Sequence, residues 1–400
     1  MSAVLVVNSG SSSFKYQLID SETEESLASG LVERIGESSG HTTHRGPDGT
    51  TERTLEIPDY TAGFRAMLDA FAAEGPSLEE NPLDAVGHRV VHGGKRFFEP
   101  TIVTPLVEIN IEDLSDLAPL HNPANLQGIR AAKKAFPDVP HVAVFDTAFH
   151  QTLGPAAYTY AIDADLAARH RVRRYGFHGT SHKYVSEAAA AFLDRPLGEL
   201  KQIVLHLGNG ASACAVDAGR SVETSMGMTP LEGLVMGTRS GDLDPAVLIH
   251  LARRAQLSTD DLDELLNRRS GLLGLSGRGD MRDVRLAAGR GEEQARLALD
   301  VTVHRLKHYV GAYTALLGGL DVLTFTAGVG ENDAALRAEV LTGLEVLGIR
   351  LDPERSASPS REARVISTDD SAVTVLVVPT NEELEISRQS LQAVREAAGG

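Results

Sequence analysis

Cysteine is nearly absent from this sequence of 400 residues, which contains only Cys214. A single thiol cannot form an internal disulfide or a metal site built from several thiolates, so the sequence does not indicate an oxidising compartment. We expect Cys214 to be a small buried side chain of the core.

Long apolar runs are missing as well. No uninterrupted apolar stretch approaches the roughly 18 residues that a membrane span needs. The N-terminal segment lacks a basic start, and its apolar run, residues 3–7, is too short for a secretory signal. These features predict a cytoplasmic protein with no membrane partner.

Positive charge is scarce relative to negative charge. Lys and Arg number 38 and Asp and Glu 55, which gives a formal net charge of −17. Nucleic acids and anionic membranes select clustered positive charge, so neither is expected as a partner. Any small anionic ligand must be held by a few well-placed cations. The composition, 42% hydrophobic and 23% charged, is that of a globular protein, and the length suggests roughly two or three domains.

Several common active-site motifs do not occur in the sequence. It has no Walker A loop and no complete Gly-x-Gly-x-x-Gly. Histidines pair at i,i+4 three times, but without His-Glu-x-x-His or a thiolate cluster they do not predict zinc. If a phosphate is bound, its cradle is of another kind.

A unit of strand, small-residue turn and strand occurs twice, at residues 3–20 and 203–216, and a third apolar strand is expected at 322–326. Helical spacing alternates with these strands through to the terminal helix. The pattern predicts an α/β fold with two related halves.

Three small-residue turns, at 8–13, 208–212 and 328–332, each follow a predicted strand, which is where an α/β sheet presents ligands. Glycine lets backbone N–H groups approach a phosphate closely. Any one of these turns is typical of an ordinary hairpin or helix cap. Together they indicate a phosphate ligand.

Ten segments, in order along the whole chain, resemble the acetokinase family of the sugar kinase, Hsp70 and actin superfamily. The segments are 4–15, 88–94, 119–123, 145–150, 175–182, 206–210, 237–242, 280–282, 328–332 and 381–383. The resemblance implies two duplicated ribonuclease H-like domains with a cleft between them. It places an N-terminal acid-binding domain at 1–149 plus 384–400 and a nucleotide-binding domain at 150–383, and it implies a homodimer.

The activity implied by the resemblance is reversible transfer of the ATP γ-phosphoryl group to acetate, giving acetyl phosphate and ADP, with Mg²⁺ or Mn²⁺ as cofactor. The catalytic residues it implies are Arg89, Asp146, His178 and Arg239. Its ATP-binding residues are Lys15, His206, Leu207, Gly208, Asn209, Gly210, Asp280, Met281, Arg282, Gly328, Val329, Gly330, Glu331 and Asn332. Its acid-binding residues are Arg89, Val91, Leu120, Phe177 and Pro230, and its metal ligands are Asn8 and Glu382.

Physical chemistry suggests roles for the catalytic set. Arg89 and Arg239 can grip carboxylate or phosphoryl oxygens bidentately and stay charged. His178 would donate to the transferring group, although a histidine taken alone is more often a core residue. Acetate is already deprotonated at neutral pH and needs no general base, so we expect Asp146 to orient an arginine or a water near Mg²⁺.

Two alternatives remain open at this point. One is the same reaction on a longer acid, propionate or butyrate. The other is a nucleotide-switched binding protein of the Hsp70 or actin type, in which the segments around Arg89 and His178 would have no purpose.

Overall fold

The computed structural model describes residues 2–399 and divides the chain into two compact units. The first unit runs up to Phe149 and resumes at Asn381, and the second is His150–Thr380. The sequence analysis assigned residues 381–383 to the second domain, but they lie in the first unit. They do so because the terminal helix begins at Glu382 and packs on strands of the first unit.

Strands and helices alternate through the chain. The strands are β1 (Ala3–Ser9), β2 (Ser13–Asp20), β3 (Ser26–Glu33), β4 (Gly40–Gly46), β5 (Gly49–Leu55), β6 (Leu83–Val90), β7 (Thr101–Ile102), β8 (His141–Phe145), β9 (Lys201–Leu207), β10 (Ala211–Asp217), β11 (Arg220–Thr224), β12 (Val322–Thr326), β13 (Arg364–Val365) and β14 (Thr374–Val377). The helices are α1 (Tyr60–Glu74), α2 (Pro105–Asp113), α3 (Asn122–Ala135), α4 (Pro155–Tyr158), α5 (Ala164–Arg169), α6 (Gly179–Phe192), α7 (Ala246–Arg254), α8 (Thr259–Arg268), α9 (Gly271–Ser276), α10 (Met281–Gly289), α11 (Glu293–Leu317), α12 (Ala327–Asn332), α13 (Ala334–Leu341), α14 (Pro353–Ala357) and α15 (Glu382–Gly399). Short 3₁₀ turns occur at Leu114–Asp116, Ala148–Thr152, Leu197–Glu199 and Glu345–Leu347.

The strands between residues 2 and 399 form one sheet in each unit, with the orders β5-β4-β3-β2-β1-β6-β8-β7 and β11-β10-β9-β12-β14-β13. Five consecutive strands of the first sheet, β3-β2-β1-β6-β8, correspond to β11-β10-β9-β12-β14 of the second. In both sets the first three strands run antiparallel and the last two join in parallel. The prediction of an α/β fold with two related halves is confirmed.

The first sheet is covered on both faces, which explains why β1 reads as an almost continuous apolar run, AVLVVNS. Val86 in β6 joins the core formed with α1 and α3. The adjacent Gly87 points the other way, since a Cβ there would lie 2.9 Å from Ile386 of α15. In the second unit, α6 packs its Val185 and Ala189 against β9, β12 and β14.

Residues 328–332, predicted as a turn, form most of the short helix α12. Strand β12 ends at Thr326 and helix α12 begins at the next residue, Ala327. The φ angle of Ala327, 63°, is in the left-handed region. Cys214 is buried in β10, as expected. None of the helices between residues 2 and 399 combines the length and the apolarity that a bilayer crossing needs.

The packing of α3 on β1 predicts a stability change at Gly128. A Cβ added there would lie 2.0 Å from Ser9 Oγ and 2.7 Å from Ser9 Cβ. Gly128→Ala should therefore lower the free energy of unfolding by about 2 kcal/mol, although alanine is the better helix former. Gly311 in α11 has open space around it, and Gly311→Ala should raise this free energy by about 0.4 to 1 kcal/mol.

Urea denaturation followed by circular dichroism measures both changes. Equal effects of the two substitutions would contradict the close approach of α3 to β1.

Candidate functional site

An arginine and an aspartate meet at the carboxyl edge of the first sheet. Arg89 lies near the end of β6, and Asp146 directly follows β8, its parallel neighbour. The Arg89 guanidinium donates from Nε to Asp146 Oδ1 at 2.9 Å and from Nη2 to Oδ2 at 2.6 Å. The Asp146 side chain is only 2% exposed and that of Arg89 22% exposed. This bidentate pair fixes the plane of the guanidinium.

A second carboxylate approaches the same arginine. Glu382, the first residue of α15, places Oε2 at 3.9 Å from Arg89 Nε. Burial raises the pKa of Glu382 above its usual value, with Arg89 and Lys15 opposing this and Asp146 adding to it. Burial alone would lower the pKa of Arg89, but Asp146 and Glu382 raise it. Because burial disfavours the charged form of Glu382, a bound cation would stabilise this carboxylate.

Two asparagines of α3 hold the loop that follows Arg89. Asn125 accepts from the N–H of Val91 at 3.1 Å and donates to the Ser9 carbonyl at 2.7 Å, and Asn122 exchanges hydrogen bonds with both backbone groups of His92. Neither asparagine was predicted from the sequence to act at the site. The sequence Asn122-Pro123 is typical of a helix N-cap followed by the first helical residue, but His121 occupies the cap position and Asn122 is the first helical residue. The feature in the sequence that pointed to them is a pair of asparagines three residues apart at the start of a predicted helix.

The predicted metal ligand Asn8 and the predicted ATP ligand Lys15 are cross-strand partners on β1 and β2. Both line a cavity of about 350 Å³ in the first unit, which also includes Arg45 and Glu383. The sequence placed Asn8 in the turn at 8–13, but it lies on the strand that precedes the turn, and Lys15 lies on the strand that follows it, as expected. Leu120, predicted for the acid pocket, is 50% exposed in the turn before α3.

In the second unit, the first turn of α6 presents several polar side chains to β9 and β10. His178 precedes the helix with a left-handed φ of 55°. Its ring stacks on that of His206 with the centroids 4.2 Å apart, and His206 Nδ1 lies 2.8 Å from Ser181 Oγ. His178 Nδ1 lies 2.9 Å from Ser212 Oγ in β10. Residues at i, i+3 and i+4 share one face of a helix, which brings these groups together.

Arg239 and His178 converge on Gly210, in the turn between β9 and β10. A Cβ at Gly210 would lie 3.6 Å from both Arg239 Nη1 and His178 Nε2. Gly210 therefore keeps open the space that the two donors face. The structure brings together three of the residues predicted for catalysis and ATP binding.

Arg239 differs from Arg89 in its electrostatic surroundings. Its Nη1 donates to the Pro230 carbonyl at 3.2 Å, and burial lowers its pKa. No carboxylate of residues 2–399 forms an ion pair with it within 4.0 Å. A guanidinium partly removed from water with only neutral partners is suited to receive an anion.

The loop that carries Pro230 and Arg239 is anchored by Arg174, which the sequence analysis missed. Arg174 donates to the carbonyls of Thr224 and Met226, at 2.9 and 3.1 Å, and to Glu232 Oε1 at 2.7 Å. Asp242 closes the other end by accepting from the N–H of Gly233 at 2.9 Å. In the sequence, the one feature that pointed to this anchor was the adjacent pair Arg173-Arg174.

A cavity of about 760 Å³ opens in the second unit next to Gly210. Its walls are largely apolar, with a few polar and charged groups, as is usual for small-molecule sites of this size. Nine of the residues predicted to bind ATP line it: Leu207, Gly208, Asn209, Asp280, Met281, Arg282, Gly328, Val329 and Asn332. Hydrogen bonds from Arg282 lower the pKa of Asp280 to about 2, so this carboxyl is charged at neutral pH.

Four predicted ATP ligands of the second unit do not line this cavity. Two are the stacked His206 and the small Gly210 described above. The other two belong to α12: Gly330 is buried, and Glu331 Oε1 accepts from the N–H of Thr380 at 3.2 Å. Because residues 328–332 are helical and not an open turn, only one side of the segment faces the cavity.

Two features of the cavity wall escaped the sequence analysis. Arg285 in α10 bridges Asp333 and Glu339 at 2.5 and 2.9 Å and so joins α10 to α13. A Cβ at Gly237 would lie 1.9 Å from Asn209 Oδ1. Only glycine at 237 leaves room for the Asn209 side chain at the mouth of the cavity.

The residues expected to bind Mg²⁺ fit that ion in their donor chemistry. Asn8 offers an amide oxygen and Glu382 a buried carboxylate whose pKa burial raises. Mg²⁺ prefers oxygen ligands and keeps several waters, so two protein ligands suffice. Among residues 2–399 there is no cluster of three or more His, Cys, Asp or Glu that could hold a metal by itself.

Comparison with known proteins gives concordant matches. The model of the acetokinase family matches residues 3–388. An acetate kinase of Leifsonia xyli subsp. xyli is 78% identical over 399 residues, covering 100% of both chains, and one of Clavibacter michiganensis subsp. michiganensis is 68% identical over 98% of this chain and 99% of its own.

Solved structures agree with these relatives. The crystal structure of Porphyromonas gingivalis acetate kinase aligns with a TM-score of 0.94 at 44% identity, covering 98% of this chain and 100% of its own. A propionate kinase from Francisella tularensis subsp. tularensis aligns with a TM-score of 0.92 at 40% identity and the same coverage.

Burial of the Arg89 pair predicts a large loss of stability when it is broken. Arg89→Met leaves Asp146 buried and unpaired and should cost about 3 kcal/mol, the lower end of the range for buried pairs because Arg89 is partly exposed. The control is Arg282→Met. Arg282 pairs with Asp280 at a similar 2.7 Å but is 88% exposed, so its loss should cost much less than the loss of Arg89. Chemical denaturation measures both values, and a cost for Arg89→Met no larger than that of the control would contradict the predicted burial effect.

Proposed function

The chain belongs to the acetokinase family, and we propose that it is an acetate kinase that transfers the γ-phosphoryl group of ATP to acetate, reversibly and directly. The observation that carries the proposal is the convergence of Arg239 and His178 on Gly210, beside a cavity of nucleotide size that Gly208 and Asn209 line. Two side chains that can donate hydrogen bonds meet at one position next to such a cavity, which suits a terminal phosphate.

The nucleotide lies in the 760 Å³ cavity of the second unit in this proposal. The apolar walls, such as Leu234 and Leu286, suit a purine base, since bases are bound largely by apolar contact with a few polar groups. The turn between β9 and β10 suits the phosphates, because its glycines let backbone N–H groups come close. Lys15, in the first unit, remains a proposed ATP ligand.

The chemical step needs positioned positive charge more than it needs acid or base catalysis. A carboxylate oxygen of acetate forms a bond to the γ-phosphorus, and the bond from that phosphorus to the bridging oxygen of ADP breaks. Arg239 stabilises charge on the equatorial oxygens, and His178 donates a hydrogen bond to one of them. No proton has to leave acetate, so no general base is required.

We propose that Arg89 binds the acid carboxylate and that Asp146 is a positioning residue. Asp146 holds the guanidinium plane through Nε and Nη2 and leaves Nη1 for the substrate. The acid's methyl group would contact Val91, Leu120, Phe177 and Pro230. Phe177 is 2% exposed, and Pro230 adjoins Arg239 through its carbonyl.

Asn8 and Glu382 would hold Mg²⁺ in this proposal. When bound, the ion would neutralise charge on the phosphates. Burial raises the pKa of Glu382, so a bound cation would stabilise its charged form, which supports this assignment.

We also propose a homodimer that works in the cytoplasm. Helices α7 and α8 of the second unit bury none of their residues within this chain, and both are amphipathic. Val247 and Ile249 of α7 are 41% and 53% exposed. Exposed apolar side chains on α7, beside an amphipathic α8 that buries none of its residues, favour a protein partner, and a second copy is the simplest one.

Acyl phosphate formation tests the proposed activity directly. ATP, Mg²⁺ and acetate with hydroxylamine should yield acetyl hydroxamate, because hydroxylamine traps acetyl phosphate. Arg239→Ala and Arg89→Ala should each lower kcat/KM by about a thousandfold, the scale reported for arginines that stabilise phosphoryl transfer. The variant Arg350→Ala, which removes an exposed surface ion pair with Asp370, serves as the control. Absence of hydroxamate with the wild-type protein would refute the function, and unchanged kinetics in both arginine variants would refute the site.

A longer acid is the second candidate, favoured by the structural match to a propionate kinase. An apolar pocket distinguishes one methylene by only about 1 to 3 kcal/mol, or roughly 10- to 200-fold. We expect kcat/KM to fall from acetate to propionate and again to butyrate. Steady-state rates with the three acids at saturating ATP measure the order, and a higher value for propionate would replace acetate as the assigned substrate.

A further inference from the structure

A serine hydroxyl lies between two histidines behind the proposed phosphate position. Ser212 Oγ is 2.9 Å from His178 Nδ1 and 2.7 Å from His182 Nε2. Ser212 and His182 are both fully buried. A hydroxyl has one proton and two lone pairs, so the direction of these two hydrogen bonds decides which nitrogen of His178 carries a proton.

His182 sets that direction. Burial lowers the pKa of His182 far below its usual value, and His150 and His206 lower it further, so His182 is neutral and carries one ring proton. Its Nδ1 is buried and has no hydrogen-bond partner among residues 2–399. An N–H group left without a partner in the interior is rarer than an unpartnered acceptor. The proton therefore belongs on Nε2, where Ser212 accepts it.

The rest of the chain of hydrogen bonds follows from this choice. Ser212 accepts from His182 Nε2 and turns its own proton toward His178 Nδ1. His178 Nδ1 is then an acceptor, and the proton of a neutral His178 sits on Nε2. That nitrogen is the one that faces the open space at Gly210, beside Arg239 Nη1.

We propose that Ser212 and His182 are positioning residues that hold His178 in the Nε2–H tautomer, so that its imidazole donates from Nε2 to a phosphoryl oxygen. The identity of this acceptor, an anionic phosphate oxygen, rests on the proposed function. The tautomer itself does not depend on that function. The orientation of the donor is fixed before substrate arrives.

The tautomer can be read without any activity measurement. In ¹⁵N-histidine-labelled wild-type protein at neutral pH, two-dimensional long-range ¹H–¹⁵N spectra should show His178 with a protonated Nε2 and an unprotonated Nδ1. The His178→Gln protein assigns the signal by its absence. In Ser212→Ala the His178 signal should shift toward a mixture of tautomers. A wild-type His178 protonated on Nδ1 would overturn the proposal, whatever the enzyme's activity.

Kinetics provide the second readout. Ser212→Ala should lower kcat about tenfold, less than the loss of a whole donor, and change KM for ATP and acetate by less than about twofold. Ser212→Thr keeps a hydroxyl and should recover most of kcat. His182→Gln keeps an amide N–H near the position of Nε2 and should retain more activity than His182→Met.

The matched control is Ser221→Ala. Ser221 is also fully buried and bonds to a histidine, His150, at 2.8 Å, but it does not contact His178. Its kcat should stay within about twofold of the wild type. Equal losses in Ser212→Ala and Ser221→Ala would show a general packing effect and overturn the proposal. Lack of acetate kinase activity in the wild type would instead refute the proposed function. The NMR spectra would still decide whether His178 is held in the Nε2–H tautomer.

Discussion

A guanidinium group that is partly withdrawn from water and has no carboxylate partner costs the folded protein free energy. Arg239 is in this condition among residues 2–399, since it donates to a carbonyl and to a thioether and burial lowers its pKa. The loop from Thr224 to Asp242 holds it there through Arg174 and Asp242. The arrangement makes sense if an anionic substrate supplies the missing charge.

Arg89 shows the opposite arrangement in the first unit. Asp146 engages it at two nitrogens, so its charge is shared and its orientation is fixed before a substrate binds. Arg89 is therefore held in a fixed orientation by its carboxylate partner, whereas Arg239 has a charge that no carboxylate of residues 2–399 neutralises. This local distribution also reconciles a net charge of −17 with anionic substrates, because fields at such a site are set by groups within a screening length of about 8 Å.

Much of the fold could be predicted from apolar periodicity alone. The strand at 322–326 has the predicted bounds, and the repeated strand, turn and strand unit begins each of two sheets that share the arrangement of five strands. The local sequence pattern did not predict the roles of side chains whose partners are far away in the sequence. Asn122 has the sequence of a helix cap, yet its side chain binds the loop at His92. Ser212 was taken as part of a small-residue turn, and its place between two histidines depends on α6 lying against β10.

The most direct test of the account concerns the free energy stored at Arg239. Arg239→Met removes a charge that has no carboxylate partner in the ligand-free protein. The free energy of unfolding without substrate should therefore stay within about 1 kcal/mol of the wild type or rise, because no buried charge is orphaned. The stabilisation that the wild type gains from MgADP with acetyl phosphate should shrink in the same variant. A ligand-free protein destabilised by more than about 2 kcal/mol, with its ligand stabilisation intact, would show that Arg239 is a structural cation and contradict the account.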